Sequence, residues 1–502
     1  MHRGPGPILV LAALALALAL WLAPGARARK PARPSALASV SGRTTGAPIA
    51  PGFVGVSVEY PALYDYTGHD PRAVNPVFET LLHDLAPGQA PVLRVGGDST
   101  DRTWYPLGGA VRPPGVNYDL SKGWLSSVRT LAGALHAHLI LGVNLAAGRP
   151  DLAAAEGQAF ERGIGRRYIS ALEIGNEADL YGVLPYYRVR GGRAVLARSG
   201  RYDLQQFSAN FTRWARVLPR LPLAGPAFAE TSWLKGLGGF IDAQRRLRVV
   251  TVHRYPLRGC VSDPASPSYA TIPNLLKDSS SEGLSQSIAP ALAVARARGL
   301  PLRVGEMNSV ACSGTSAVSN TFASALWALD TLFSMARVGV QGVNLHTLPG
   351  ARYELFSFRH AHGRYSAVVH PEYYGLLMFA LAAPPGSRLS SVSAPGGPVK
   401  VWATRGPDAH IRVVLINKDY RSSHALSLRI PAASGRALAQ WLRAPAVDAT
   451  AGVSLDGLSF GDRTYTAKLT GRPALALLSP SHGTYSVRLP AASAVLLTLA
   501  VR

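Results

Sequence analysis

Eight short apolar runs, each closed by a turn and followed by a longer amphipathic stretch, constrain this chain's fold more than any other feature. They are FVGVSVEY (53–60), PVLRVGGD (91–98), HLILGVNL (138–145), ISALEIGNE (169–177), PLAGPAF (222–228), VVTVHRYP (249–256), LRVGEMN (302–308) and GVNLHT (342–347). Apolar runs of this length, bounded by turn residues, read as buried strands. Helical periodicity lies between them, at 72–85, 121–135, 202–217, 284–298 and 318–336. Strands alternating with helices predict an α/β fold, a (β/α)8 TIM barrel over 51–383. A doubly wound open sheet is the alternative, but no Gly-rich phosphate loop accompanies the first strands.

The rhythm changes from about residue 385. VKVWATRG, HIRVVLINK, HALSLRIP, TYTAKLTG, TYSVRLP and AVLLTLAV are short alternating runs split by Gly, Pro and Ser. They predict an all-β sandwich over 384–502. At the other end, MHRGPGP is a short basic start, followed by an apolar run of sixteen residues and the small-x-small triplet Ala26–Ala28. Residues 1–28 read as an export signal, with an uncleaved anchor as the alternative. Residues 29–50, rich in Pro, Ser and Arg, read as a linker or lead-in to the first strand.

The 502 residues are 47% hydrophobic, a globular composition. Formal net charge is +23, and loss of Arg3 and Arg27 with the signal would leave +21. A basic chain can meet nucleic acid, a membrane surface or an acidic polymer. No zinc-ligand spacing, RNA-binding signature or dense basic helix is present, and export argues against nucleic acid. An acidic polysaccharide suits export and charge together, although an Arg-rich composition alone would give the same balance. No later apolar run reaches membrane-spanning length, so no stable membrane insertion is expected after signal cleavage. Only Cys260 and Cys312 remain for pairing, which suits one disulfide in an exported chain.

In such a barrel the site lies at the C-terminal strand ends. Glu59, Asp98, Asn144, Asn176, Glu177, His253, Tyr255, Glu306, Asn308 and His346 fall at or near those ends. Each alone is readily a capping or loop residue. Two glutamates on the fourth and seventh strands, Glu177 and Glu306, can face each other across a central pocket. Carboxyl groups about 5–5.5 Å apart there suit retaining glycoside hydrolysis, one as nucleophile and the other as acid/base. Glu173 lies deeper in the fourth strand and reads as a structural carboxylate paired with Arg94 or Arg303.

LEIGNE and RVGEMNS resemble the acid/base and nucleophile motifs of glycoside hydrolase family 79, which holds β-glucuronidases and heparanase. LRVGGDSTDRTWY (93–105), VVTVHRYP, SNTFASALWALD (319–330) and the late GTYSVRLPAASAVLLTL extend the resemblance over nearly the whole mature chain. It implies Glu177 as acid/base, Glu306 as nucleophile and Asn176 as the partner of the sugar 2-OH. It places Asp98 and Glu59 near sugar hydroxyls, His253 near the nucleophile and Tyr353 near a substrate carboxylate. The family commonly has a tyrosine five residues after the nucleophile, where this chain has Ala311. Backbone N–H groups of Cys312, Ser313 and Gly314 can bind an anion in its stead, and Arg352 can add charge.

The two cysteines follow the sixth and seventh strands, so a Cys260–Cys312 bridge would join neighbouring loops at the pocket wall. The basic, aromatic stretch 181–201 either lines subsites for an acidic chain or is a surface loop. The expected activity is that of a secreted retaining β-glycosidase, most readily a β-glucuronidase, with a carbohydrate substrate and no cofactor or metal. A retaining enzyme for a neutral sugar and a non-catalytic carbohydrate-binding protein are the competing readings.

Overall fold

The computed structural model describes residues 36–106 and 108–501; the expected signal at 1–28 lies outside them. Eight parallel strands close into a barrel: Val54–Val58 (β1), Val92–Val95 (β2), His138–Val143 (β3), Ile169–Ile174 (β4), Leu223–Phe228 (β5), Leu247–Arg254 (β6), Leu302–Met307 (β7) and Gly342–Thr347 (β8). Each strand pairs with its neighbours in chain order, and β8 pairs with β1. Helices cover the outside, as the alternation requires.

β1, β5, β7 and β8 are buried along their whole length. This is why they read as continuous apolar runs instead of alternating ones. The helices begin at recognisable caps. The Asn75 side chain accepts from the backbone N–H of Val77 and Phe78, Ser121 accepts from Trp124, and Asp203 from Gln206. The predicted helix at 284–298 is two helices, Asp278–Ser287 and Ala289–Arg296. Pro290 stands at the start of the second, where a missing N–H costs nothing.

The β module is one continuous sheet of twelve strands, mostly antiparallel. It encloses a second core containing Val413, Leu415, Leu428, Val487 and Leu497. Ala36–Thr45, within the stretch read as a linker or lead-in to the first strand, is itself a strand of this sheet, antiparallel to Arg388–Ser393 and parallel to His424–Arg429. Ala38 and Val40 point into the second core, with Ser39 between them and Ser41 after. Small alternating residues carry too little hydrophobic contrast to announce a strand. The described residues therefore begin in the β module, run through the barrel and return to the module.

The helix Phe322–Val338 is buried over most of its length because it lies between the two parts. Asp330 on it accepts from Lys418 Nζ (2.8 Å) and Trp402 Nε1 (2.8 Å), both from the β module. Among the described residues, no helix is long and apolar enough to cross a membrane.

Candidate active site

Glu306 sits near the end of β7, where pairing with both neighbouring strands loses its regular register. Such irregularities re-aim side chains and are frequent beside active sites. Its carboxylate accepts from Arg94 Nη1 at 2.6 Å and from the Tyr255 hydroxyl at 2.8 Å. His253 and His346 each bring a ring nitrogen to within 4 Å of it, at 3.9 and 3.8 Å. Burial by itself would raise Glu306. The imidazoles, the guanidinium and the Tyr255 hydroxyl outweigh burial and hold it well below the usual carboxylate range. An anionic carboxylate with its charge shared among donors is what a nucleophile needs.

Glu177 follows β4 on a kinked turn. Gly175 has φ +75°, and its N–H donates to Val143 O. A Cβ at Gly175 would lie 2.9 Å from the Leu145 side chain, so glycine is required on both counts. Glu177 itself has φ +48° and is anchored by its N–H to Ala227 O at 3.0 Å. Left-handed backbone in a non-glycine residue costs of order 1 kcal/mol or more and concentrates at functional sites. Here it lifts the half-buried Glu177 side chain towards His253 Nδ1, 3.0 Å away. One carboxylate oxygen each from Glu177 and Glu306 and a His253 nitrogen lie within 4.8 Å of one another. That trio has spacing that would also suit a cation, but the Arg94 guanidinium already supplies positive charge to Glu306.

Beneath this pair, Arg94 ties the site together. It donates to Glu173 Oε2 (2.7 Å), Glu306 Oε2 (2.6 Å), Asn176 Oδ1 (2.9 Å) and Ser57 Oγ (3.2 Å). Of the two partners expected for Glu173, Arg94 is the one it has, and Arg303 lies elsewhere in the barrel. The Asn176 N–H donates to Asp101 Oδ2. Asp101 also accepts from the Leu145 and Ala146 N–H groups and from the Tyr181 hydroxyl. Sequence reasoning missed Asp101. It is the second acid in the DSTDRTWY segment, three residues beyond Asp98.

The remaining expected residues divide into those facing the cleft and those behind it. Asp98 is open to the cleft. Desolvation, then the charges of Glu59, Glu177 and Glu306, push it up to about 7. Glu59 does not point freely at the cleft, since its oxygens accept from the Asp98 and Ser99 N–H groups. His346 contacts Glu59 at 3.4 Å. Burial would lower it, but the Glu306 and Glu59 carboxylates raise it. Tyr353 packs its ring by Tyr255 and His346, with centroids 6.2 and 6.0 Å away.

Asn308 was expected among the substrate contacts. It is fully buried, and its amide nitrogen donates to His346 O at 2.8 Å. It braces the loops around the site. Asn144 likewise serves the Asp101 and Thr103 carbonyls.

Cys260 and Cys312 form a disulfide with Cα atoms 5.9 Å apart. The loops it joins also pair as short strands, Leu257–Arg258 with Val310–Ala311. Beyond the bridge, Cys312, Ser313 and Gly314 take successive positive φ values of 60°, 64° and 79°. The Arg352 N–H donates to Ser313 O at 2.8 Å, while the Arg352 side chain is exposed.

The stretch after Glu177 forms a hairpin, Pro185–Arg188 with Ala194–Leu196. Its Tyr186 is buried, and the hydroxyl donates to Asp101 O. Leu180, Leu184 and Arg102 line the cleft beside Glu177. Tyr181 and Tyr186 of this stretch line it too, buried and with their hydroxyls turned to Asp101, so the wall combines aliphatic and aromatic side chains with one guanidinium.

Residues 401–496 match the glycosyl hydrolase family 79 C-terminal β domain. A β-glucuronidase of Neurospora crassa is 25% identical over 387 residues, 68% of this chain and 66% of that one. A β-glucuronidase of Aspergillus niger is 23% identical over 515 aligned residues, 90% of this chain and 91% of that one. Among solved structures, a 4-O-α-L-rhamnosyl-β-D-glucuronidase of Fusarium oxysporum superposes with a TM-score of 0.69 at 20% identity, covering 92% of this chain and 100% of that one. A family 51 arabinofuranosidase of Xanthomonas axonopodis pv. citri gives 0.65 at 15% identity, covering 92% and 100%. Those two likenesses bear on the fold. The β-domain match and the two glucuronidase relatives agree with the resemblance of the motifs around Glu177 and Glu306 to glycoside hydrolase family 79.

Proposed function

We propose that this chain is a secreted retaining β-glucuronidase. The observation that carries the reading is the approach of Glu177, His253 and Glu306 to within 4.8 Å at the ends of β4 and β7. Inverting enzymes leave about 6.5–9.5 Å between their carboxyl groups to admit a water, whereas retaining enzymes close the gap to about 5–5.5 Å.

Glu306 attacks the anomeric carbon while Glu177 gives its proton to the departing glycosidic oxygen. The bond to the leaving group breaks as the Glu306–sugar ester forms. Glu177, now a carboxylate, takes a proton from water, whose oxygen attacks the same carbon and releases Glu306. Asn176, held by Arg94, is placed for the sugar 2-OH. Arg94, Tyr255 and the two imidazoles carry the Glu306 charge before attack and after release. Two carboxylates supply the chemistry, so no cofactor enters.

The glucuronide substrate is supported by the two glucuronidase relatives. The side facing Tyr353 offers the backbone of Cys312–Gly314 to a carboxylate, an arrangement in which successive N–H groups can converge on an anion. Ala311 in place of the family tyrosine favours one competing reading, a neutral β-linked sugar. Turnover of a panel of aryl β-glycosides, with Glu306→Gln as the control, separates the two. The proposal expects the glucuronide to be cleaved best and Glu306→Gln to lose about 10⁴-fold or more in kcat. A preferred glucoside or xyloside would reject the substrate, and full activity of the variant would reject the mechanism.

A further inference from the structure

A groove of about 730 Å³ lies at the opposite end of the barrel, by Leu223 and Leu247 at the starts of β5 and β6. Six arginines line it, Arg166, Arg216, Arg220, Arg245, Arg246 and Arg248, and among the described residues no carboxylate does. Three of the six are structurally committed. Arg246 spends its guanidinium on carbonyls that include Leu218 and Leu221, the latter at 2.8 Å. Arg166 pairs with Glu161 at 3.0 Å. Arg248 donates to the carbonyls of Arg245 and Leu247.

The other three differ. Arg216, Arg220 and Arg245 are exposed, and among the described residues they make no ion pair. Arg246 is lowered first by burial and then by the positive charge of Arg220, which shows how closely like charges are gathered here. A concave surface lined with one sign of charge concentrates the opposite sign.

We infer that this groove is an exosite for a carboxylated polysaccharide, separate from the catalytic cleft. Guanidinium forks match carboxylates in bidentate geometry. The groove floor is aliphatic, with Leu218, Leu221 and Pro222, and it suits the C–H face of a pyranose ring. The same features disfavour nucleic acid. No aromatic side chain lines the groove, so bases have no stacking platform, and a concavity does not enter a duplex groove. Because β-strand C-termini carry the catalytic pair and N-termini carry the groove, a polymer could be held without occupying the site of cleavage. Such tethering raises the effective concentration of the enzyme at its polymer.

The test reads binding, so its outcome is independent of whether glucuronides are hydrolysed. Polygalacturonate, an α-linked uronate polymer, is titrated into the whole chain at 150 mM NaCl by calorimetry. The triple variant Arg216→Gln/Arg220→Gln/Arg245→Gln is compared with Arg429→Gln/Arg436→Gln/Arg488→Gln, three exposed arginines of the β module that carry the same total charge. The groove triple is expected to bind about tenfold more weakly, the sum of three exposed charge contacts. The control triple is expected to stay within about twofold, and its salt dependence to match that of the unaltered chain. Aryl glycoside turnover should be unchanged in both. Should the triple fold poorly, Arg220→Gln/Arg245→Gln serves in its place, with a smaller loss expected. Equal losses in both triples, no loss in the groove variant, or tighter binding of duplex DNA than of polygalacturonate through the groove would overturn the inference.

Discussion

Arg94 and Arg303 lie in the same barrel interior, both almost completely buried, and they are held in opposite ways. Arg94, on β2 near the cleft, is surrounded by charge. Burial would lower it, but the Glu173 and Glu306 carboxylates outweigh that and raise it. Arg303, at the start of β7, has only neutral acceptors, Asn344 Oδ1 and the Gly52 carbonyl at 3.0 Å. Burial pulls it down to about 9. Room for it depends on glycine, because a Cβ at Gly55 would come within 2.6 Å of its Nη2 and one at Gly342 within 2.1 Å of its Nη1. The lesson is that a buried cation marks a site by its partners. Arg94 is tied to Glu306, whereas Arg303 closes the barrel floor.

The comparison breaks most visibly at Arg94. Arg94→Met leaves Glu173 without its counter-charge and Glu306 to the imidazoles and Tyr255, and removing one partner of a buried pair costs about 3–5 kcal/mol. Urea unfolding should show that loss, and kcat should fall by at least about 10²-fold, the scale of losing one preorganised charge. Adding Glu173→Gln should restore part of the stability and little of the activity. Non-additivity of that kind is what a shared network produces. Arg303→Met strands no carboxylate. It leaves an amide and a carbonyl unsatisfied, at about 1–3 kcal/mol, and kcat is expected to stay within about threefold.

The disulfide sharpens the comparison at the rim. Cys260→Ser/Cys312→Ser should raise KM for the aryl glucuronide by about tenfold, since the backbone at Cys312 and Ser313 is held in conformations that cost about 1 kcal/mol each. Steady-state kinetics should show kcat much less affected, because Arg94, Glu306 and Glu177 do not depend on the bridge.

The smallest effect is expected from pH, because the exposed Asp98 side chain has its interactions screened by solvent. Asp98 has its folded value raised to about 7 from 3.8. The unfolded chain therefore loses this proton first, and the native state binds more protons across that window. Stability from this group falls as pH rises from about 4 to about 7. Asp98→Asn should flatten that slope, seen as a higher Tm relative to the unaltered chain at pH 8 than at pH 4.

Much of this fold was legible because buried parallel strands are continuous apolar runs. β8 is found at its expected bounds, and the other strands begin and end within a few residues of theirs. Both glutamates were legible from their place at strand ends and from the motifs around them. What escaped was long-range or low in contrast. The Ala36–Thr45 strand has small residues whose partners lie about 350 and 390 positions away in sequence. The Asp101 carboxylate collects hydrogen bonds from residues 44 to 80 positions distant, and nothing local distinguishes it from a loop acid. Asn308 follows Glu306 by two residues, and only the structure shows its side-chain amide donating to the β8 backbone.

The central claim is that Glu306 becomes covalently attached to the sugar. It is tested most directly by incubating the protein with 2-deoxy-2-fluoro-β-glucuronyl fluoride and mapping the label by peptide mass spectrometry. The account predicts one fluoroglucuronyl group on Glu306, absent when Glu306→Gln is treated in the same way. A label on Glu177 or elsewhere, or turnover of glucuronides with inversion and no labelling, would contradict it.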